Sequence, residues 1–416
     1  MVEDVQIQGA FKESELGMIP DDWDVKSLEN EVDLLTGFPF PSNKYSETGI
    51  RLLRGSNVKR GVTEWAEDNT KYWKEVTPEL KEYVLKDGDI VIAMDGSLVG
   101  KSFARLSSSD LPALLLQRIA RVRSSKIDMG YLKEFICSDY FTKYCDSVKT
   151  ASAIPHISPK DIRNFKIPLP PTKEEQDAIA TALNDTDKLI SQLEKLIAKK
   201  KLIKQGALQE LLRPKEGWEM VELGKLFEIT SSKRVFQSEW KSKGIPFYRA
   251  RELAVLAEKG EVDNQLFITQ EMYESFKRKH GVPQVGDILV TGVGTLGKVY
   301  LVKDSKPFYF KDGNIIWFKI NRSVDSEYLK QLYFTKFIEK QIDDASGKTT
   351  VGTYTISGAK KTIIPIPPHK SEQIQIGKIL SDIDNEIHVL EKKLNKYKMI
   401  KQGMMQNLLT GKIRLV

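Results

Sequence analysis

Apolar residues recur every three or four positions through two long stretches of the chain. In the later stretch Ile376, Leu380, Ile383, Ile387, Leu390, Leu394, Tyr397, Met404 and Leu408 alternate steps of four and three, with Lys401 as the polar interruption. In the earlier one Ile179, Leu183, Ile190, Leu193, Ile197 and Leu211 keep the same register, interrupted by Thr186, Lys200 and Lys204. Such spacing is a narrow stripe of coiled-coil type. It predicts two helices of roughly 38 residues, rods about 55–60 Å long at 1.5 Å per residue. A rod with one wet apolar stripe is marginal alone, so the two are expected to pair with each other.

The stretches are copies. Ile167-Pro168-Leu169-Pro170-Pro171, Glu175-Gln176, Asp185-x-Asp187, Leu193-Glu194-Lys195, Ile203-Lys204-Gln205-Gly206 and Leu211-Leu212 return as Ile364-Pro365-Ile366-Pro367-Pro368, Glu372-Gln373, Asp382-x-Asp384, Leu390-Glu391-Lys392, Ile400-Lys401-Gln402-Gly403 and Leu408-Leu409. Ile400 stands 197 residues after Ile203, as Leu409 does after Leu212. A long-period duplication outranks local motifs in reading architecture. The prolines fix an extended lead-in to each rod.

Before each rod the pattern is mixed. Ile50 to Arg54 and Asp89 to Ala93 read as short buried strands, and Leu114 to Val122 as a further one. Tyr131 to Val148 has helical spacing, followed by a loop at 150–157. After the break at Pro214-Lys215-Glu216-Gly217 the order repeats more loosely, Ile245 to Arg249 echoing Ile50 to Arg54 and Gly286-Asp287-Ile288-Leu289 echoing Gly88-Asp89-Ile90-Val91. The expected fold is mixed α/β (α+β). A polar lead (1–22) precedes a first globule (23–166) and first rod (167–213), then a second globule (214–363) and a second rod with tail (364–416). Antiparallel rods would create a pseudo-two-fold axis, suited to a partner bound twice or to a target with two half-sites.

The chain has 416 residues, of which 40% are apolar and 29% charged, and it carries a net charge of +7. No apolar run reaches bilayer length, and Met1-Val2-Glu3-Asp4 does not begin a signal sequence, so no membrane role is expected. Only Cys137 and Cys145 are present, both placed on the 131–148 helix; no disulfide framework is expected and a reducing cytoplasm fits. The basic balance is compatible with a nucleic-acid partner.

Motifs for chemistry are weak. Gly292-Val293-Gly294-Thr295-Leu296-Gly297 is a literal GxGxxG after a strand, but Lys298-Val299-Tyr300-Leu301 resumes a β pattern and position 317 is Trp, where a dinucleotide fold needs a helix and then an acid. Its twin, Gly96 to Ser102, is one residue short of a phosphate loop. Strand–turn–strand loops presenting Lys101 and Lys298 are the better account, although a stand-alone nucleotide- or S-adenosylmethionine-binding enzyme using these loops is an alternative. The four histidines lack metal-ligand spacing, so no metal site is expected. Neither Pro-Pro pair has the flanking residues of an amino-methyltransferase motif, and no catalytic constellation emerges. A protein-interaction scaffold without a DNA role is the other alternative. What recurs is basic and polar: Arg51, Arg54, Asn57, Lys59 and Arg60 in the first globule, Lys233, Arg234, Arg249 and Arg251 in the second. Arg and Asn make bidentate contacts to guanine and adenine edges, and Lys anchors phosphates.

The chain resembles the specificity subunits of type I restriction-modification systems over nearly its whole length. The resemblance rests on Phe11 to Trp23, on Ile-Pro-x-Pro-Pro with Glu-Gln before each rod, and on the endings Lys204-Gln205-Gly206…Leu211-Leu212 and Leu408-Leu409-Thr410-Gly411-Lys412-Ile413-Arg414. It implies two target-recognition domains, each reading half of a bipartite asymmetric sequence in double-stranded DNA, with antiparallel helices as spacer. It also implies two methylation subunits docked on this scaffold, joined by restriction subunits. S-adenosylmethionine, ATP and Mg²⁺ then belong to those partners, and this chain needs no cofactor. Half-sites read from one face are expected about one helical turn, roughly 34–36 Å, apart. Lys200, Lys204 and Lys401 fall toward the far ends of the rods, where the stripe is expected to turn from pairing to contact with a methylation subunit.

Overall fold

The computed structural model describes residues 10–151, 154–263, 266–346 and 352–415. The start of the lead and residues 152 and 153 of the 150–157 loop lie outside them. The chain forms two compact units, Met1–Gln192 with Leu394–Val416, and Leu193–Lys393. Each unit therefore holds one globule and part of both rods, a division that cuts across the helices.

Both rods are single helices of 39 residues, Lys173–Leu211 and Lys370–Leu408. Pro168 and Pro365 sit in short strands, Lys166–Leu169 paired antiparallel with Asp24–Ser27 and Ile363–Ile366 with Glu219–Glu222, and Pro170-Pro171 and Pro367-Pro368 link those strands to the helices. Within each unit the helices run antiparallel. In the first, Asp187 meets Lys401 at 2.6 Å and Thr186 reaches the Met404 sulfur at 3.5 Å. In the second, Lys204 meets Asp384 at 2.5 Å and Lys200 meets Glu386 at 2.7 Å. Of the stripe, Ile179, Leu183, Leu193, Ile197, Ile376, Leu380, Ile387 and Leu408 are buried, and Ile190, Leu211, Ile383, Leu390 and Leu394 half-buried.

The lysines that interrupt the stripe correct one expectation. Lys200, Lys204 and Lys401 pair with carboxylates of the opposite helix, so the pairing of the rods continues through these polar positions. Lys401–Asp187 and Lys204–Asp384 are the same pair in duplicate, 197 residues apart at both partners.

The globules share a frame. Each has a four-stranded antiparallel sheet in the same order: Asp33–Thr36, Ile119–Arg123, Ile90–Ala93, Phe103–Arg105 in the first, and Ile229–Thr230, Ile315–Phe318, Ile288–Thr291, Val299–Leu301 in the second. Each joins its rod through equivalent contacts. Tyr131 and Tyr328 donate their hydroxyls to the carbonyls of Pro168 and Pro365, both at 2.8 Å. Gln176 and Gln373 accept, both at 2.9 Å, from the backbone N–H of Asp128 and Asp325, which in turn cap the helices at Met129–Ile136 and Ser326–Leu332. One partner at this junction must be small: a Cβ on Gly130 would lie 2.9 Å from the Ala180 Cβ, and one on Gly377 2.9 Å from the Tyr328 nitrogen. Ile179, Leu183 and Leu408 enter the first globule's core, and Ile376 and Leu380 the second's. Each such side chain contributes about 1.5–3 kcal/mol on burial.

Three local expectations need correcting. The lead is not merely polar: Phe11–Ser14 and Gly17–Pro20 form a hairpin, and Ile19 is a core residue. Leu114 to Val122 is two strands, Ala113–Leu115 and Ile119–Arg123, because Arg118 takes a left-handed φ of 68° between them. Tyr131 to Val148 is two helices, Met129–Ile136 and Asp139–Val148; Ser138 caps the second with its hydroxyl, a local bond that competes with continuing the first.

Candidate nucleic-acid interface

In each globule a second, three-stranded sheet leads into the basic loops. Ile50–Leu53 lies between Tyr72–Trp73 and Ala113–Leu115, and Ile245–Tyr248 between Phe267–Ile268 and Tyr309–Phe310. Arg54 and Arg249 follow the central strands and each starts a helical turn. Their backbone N–H groups donate at 3.1 Å to the side chain three residues on, Asn57 and Glu252. That is half of a capping box, so the recurrence of the arginine coincides with a helix start.

From that point the globules part company. The first makes only a three-residue 3-10 turn, Gly55–Asn57, and later another at Pro78–Tyr83. The second builds a ten-residue helix, Ala250–Lys259, closed by Gly260 at a φ of 76°, and then a helix at Gln270–His280. The frame is shared and the tips are not.

Several of the basic residues are held within the chain. Asn57 is fully buried, with its carboxamide NH₂ donating to the Glu64 carbonyl at 2.9 Å; it shapes its loop and is closed to a base edge, contrary to expectation. Arg51 donates to the carbonyls of Ser109 (3.0 Å) and Leu111 (2.8 Å) and lies over the Trp65 ring. Arg54 donates to the Asn69 carbonyl at 3.3 Å. Arg249 grips Glu252 at 2.9 and 2.6 Å, which holds the Glu252 carboxyl below its ordinary value against the opposing effect of burial. Arg234 pairs with Asp312 at 3.1 Å and Lys298 with Glu258 at 2.6 Å. Among the described residues, Lys101, Lys233 and Arg251 are exposed without an ion pair.

The fold gathers Lys59, Arg60 and Lys101. Gly61 donates to the Phe103 carbonyl at 2.7 Å and Phe103 to that of Lys59 at 3.2 Å, tying the 59–61 loop to the strand after Lys101. The Gly100 carbonyl accepts from the Thr142 hydroxyl at 2.6 Å, while Arg60 pairs with Asp139 on the same helix. Lys59 itself lies 3.5 Å from Glu64, an exposed and weak pair. In the second globule Lys233 donates its backbone N–H to the Tyr309 hydroxyl at 2.9 Å and Lys311 to the Tyr248 carbonyl at 2.9 Å, bringing Lys233, Arg234 and Arg249 to one end of the sheet. Sequence reading passed over Lys277-Arg278-Lys279-His280, four exposed residues that close the Gln270–His280 helix. Their run was visible, but only the structure places it in the part the first globule lacks.

Neither glycine loop begins a helix. Gly96 to Lys101 and Gly292 to Lys298 turn between antiparallel strands, and Trp317 is a buried donor to Asp287 at 2.8 Å. No group of three potential metal ligands occurs among the described residues, and no helix there is long and apolar enough to cross a membrane.

A duplicated frame with dissimilar basic tips and paired helices defines a two-reader protein of the DNA-specificity class. The model of the type I restriction modification DNA specificity domain matches twice, at residues 20–205 and 215–398, and the chain belongs to that family. It is 25% identical over 448 residues to the type I restriction enzyme MjaVIII specificity subunit of Methanocaldococcus jannaschii, covering 97% of this chain and 96% of that one. It is 28% identical over 443 residues to the putative MjaX specificity subunit of the same organism, covering 97% of each. The Escherichia coli EcoAI specificity subunit is 31% identical over 183 residues, 43% of this chain and only 31% of that protein. The fold matches the crystal structure of the type I S subunit from M. genitalium with a TM-score of 0.63 at 17% identity, over 93% of this chain and 96% of that one.

Proposed function

We propose that this chain is the non-catalytic DNA-reading subunit of a type I restriction-modification enzyme. Each globule reads one half of a bipartite, asymmetric site, and the helix pair sets the spacer and seats two methylation subunits, which restriction subunits join. S-adenosylmethionine, ATP and Mg²⁺ act in those partners. The observation that carries this reading is the contrast within the duplication: equivalent frames and rod contacts, but a 3-10 turn after Arg54 and a ten-residue helix after Arg249. One frame with two different tips suits two different half-sites. Lys59, Arg60 and Lys101 on one side, and Lys233, Arg251 and the Lys277–His280 run on the other, supply phosphate contacts, which position without specifying.

Linking two weak readers on one scaffold raises avidity by about 10²–10⁴ over either alone when their spacing matches the site. Exposed apolar side chains on the rods, such as Leu202 (69%), Val389 (62%) and Met399 (73%), support docking of further subunits there. The test is to produce the chain with a methylation subunit and sequence the DNA for modified adenines. A two-part motif with unlike halves supports the reading, and unmodified DNA beside tight binding of ATP or S-adenosylmethionine by the free chain would overturn it.

A further inference from the structure

The loop that enters the three-stranded sheet is built alike in the two globules. Ser42–Lys44 and Gln237–Glu239 are both single 3-10 turns. After the turn Ser46 bridges to Tyr72, and Lys241 to Phe267. Gly49 and Gly244 end the loops with φ of 128° and 133°, where a Cβ would strike the carbonyl of Trp73 or Ile268. Gly244 stands 195 residues after Gly49, and the residues just before the turns, Pro41 and Phe236, are equivalent at the same offset. Phe40 and Val235, one residue earlier, are buried, while Pro41 and Phe236 face solvent. Phe236 is 61% exposed, and it joins no core cluster among the described residues.

The exposed ring is rigidly mounted. The Phe236 N–H donates to the Glu239 carboxylate at 2.7 Å, its carbonyl accepts from the Glu239 N–H at 3.0 Å, and the Trp240 ring packs 6.1 Å from that of Phe247. It is also set among cations. The second loop carries Lys233, Arg234, Lys241 and Lys243 against Glu239, whereas the first balances Lys44 with Glu47. Arg234 pairs with Asp312, but Lys233, Lys241 and Lys243 are exposed and have no ion pair among the described residues. Resting on the function proposed above, we infer that Phe236 is a wedge: its ring enters the duplex between two neighbouring base pairs of one half-site, with the lysines on the flanking phosphates. A ring held by its backbone loses little freedom on insertion, and the base faces take it out of water. The unstacking it forces makes that half-site depend on how easily one step deforms, beside whatever base edges are read. Pro41 offers no such ring, so the two readers differ in mode as well as in shape.

The test uses the full chain produced with its methylation subunit and two duplexes. One carries the motif found by mapping modified adenines, with 2-aminopurine placed at successive positions other than those adenines, and the other is its scrambled sequence. Wild type is expected to brighten a probe at one step of one half. Phe236→Ala should leave that probe dark and bind the motif on the order of tenfold more weakly, with unchanged affinity for the scrambled duplex. Phe236→Trp, which keeps a ring, should restore both signals. Lys241→Ala with Lys243→Ala should instead weaken both duplexes and reduce the salt dependence. All three side chains are exposed, so an unchanged urea midpoint serves as the folding control. Wild type that modifies no DNA and binds neither duplex would sink the function proposed above. A motif bound equally by wild type and Phe236→Ala, with no probe brightened, would sink the wedge alone. Native mass spectra in which Phe236→Ala loses a protein subunit while its DNA binding is unchanged would also overturn it, in favour of a protein contact.

Discussion

Removing Arg414 should unfold one unit selectively. Its guanidinium donates to both oxygens of Glu175, at 2.7 Å for the Oε2 contact, to both oxygens of Asp22 at 3.0 Å, and lies over the Trp23 ring at 5.7 Å. Glu175 is 1% exposed, so Arg414→Ala leaves a buried carboxylate without its cation, a loss of about 3–5 kcal/mol. Asp22 is half exposed and adds about 1 kcal/mol or less. In the second unit Lys215 lies over the Trp218 ring at 5.4 Å and 3.5 Å from Glu372, with side chains 50% and 33% exposed. Lys215→Ala should therefore cost about 0–1 kcal/mol. The units differ because the second is continuous from Arg213 to Trp218, whereas in the first the chain's tail must clasp Pro20 to Trp23 without a covalent link. Hydrogen exchange reads the units separately. In Arg414→Ala the paired strands Asp24–Ser27 and Lys166–Leu169 should exchange about a hundredfold faster or more, while Glu219–Glu222 and Ile363–Ile366 keep their protection. A loss under 1 kcal/mol, or equal loss in both units, would refute the reasoning.

Other consequences follow from the same contacts. Gln373→Ala removes the acceptor for the Asp325 N–H at the rod–globule junction and should cost about 1–3 kcal/mol in urea denaturation; Gln373→Glu, which keeps an acceptor but places a carboxylate at a buried position, should cost at least as much near neutral pH. Burial raises the Asp187 carboxyl, but the Lys401 hydrogen bond and the Lys133 charge outweigh it and hold the group below its ordinary value. A depressed carboxyl contributes stability above its unfolded value and loses it as pH falls through the folded one. The urea midpoint should therefore fall below about pH 4, and Asp187→Asn should flatten that fall; an unchanged slope would contradict the pairing. Burial pushes both thiols up to about 12, so Cys137 and Cys145 should resist a thiol reagent at pH 7.5 and react promptly in denaturant.

The paired rods and the repeated order were legible because a 197-residue repeat and a stripe of period 3.5 are long-range patterns that local exceptions do not blur. The misreadings were local. Periodicity could not see that the Ser138 hydroxyl would cap a new helix, nor that Arg118 would turn left-handed and split one apolar run into two strands. Lys200, Lys204 and Lys401 looked like breaks in the stripe because their partners, Glu386, Asp384 and Asp187, lie nearly two hundred residues away in sequence. The interface was least legible. Arginine and asparagine look alike whether they read a base or cap a turn, and only burial separates Asn57, closed inside its loop, from exposed Lys101.

The central claim is that two unlike readers share one frame. The most direct measurement maps modified adenines for the chain with its methylation subunit, wild type beside a variant whose segment Arg249 to His280 is replaced by that of a relative of different specificity. Wild type should give a two-part motif, and the exchange should rewrite one half and leave the other half unchanged. A motif that changes in both halves, or a single contiguous one, would contradict two unlike readers on one frame.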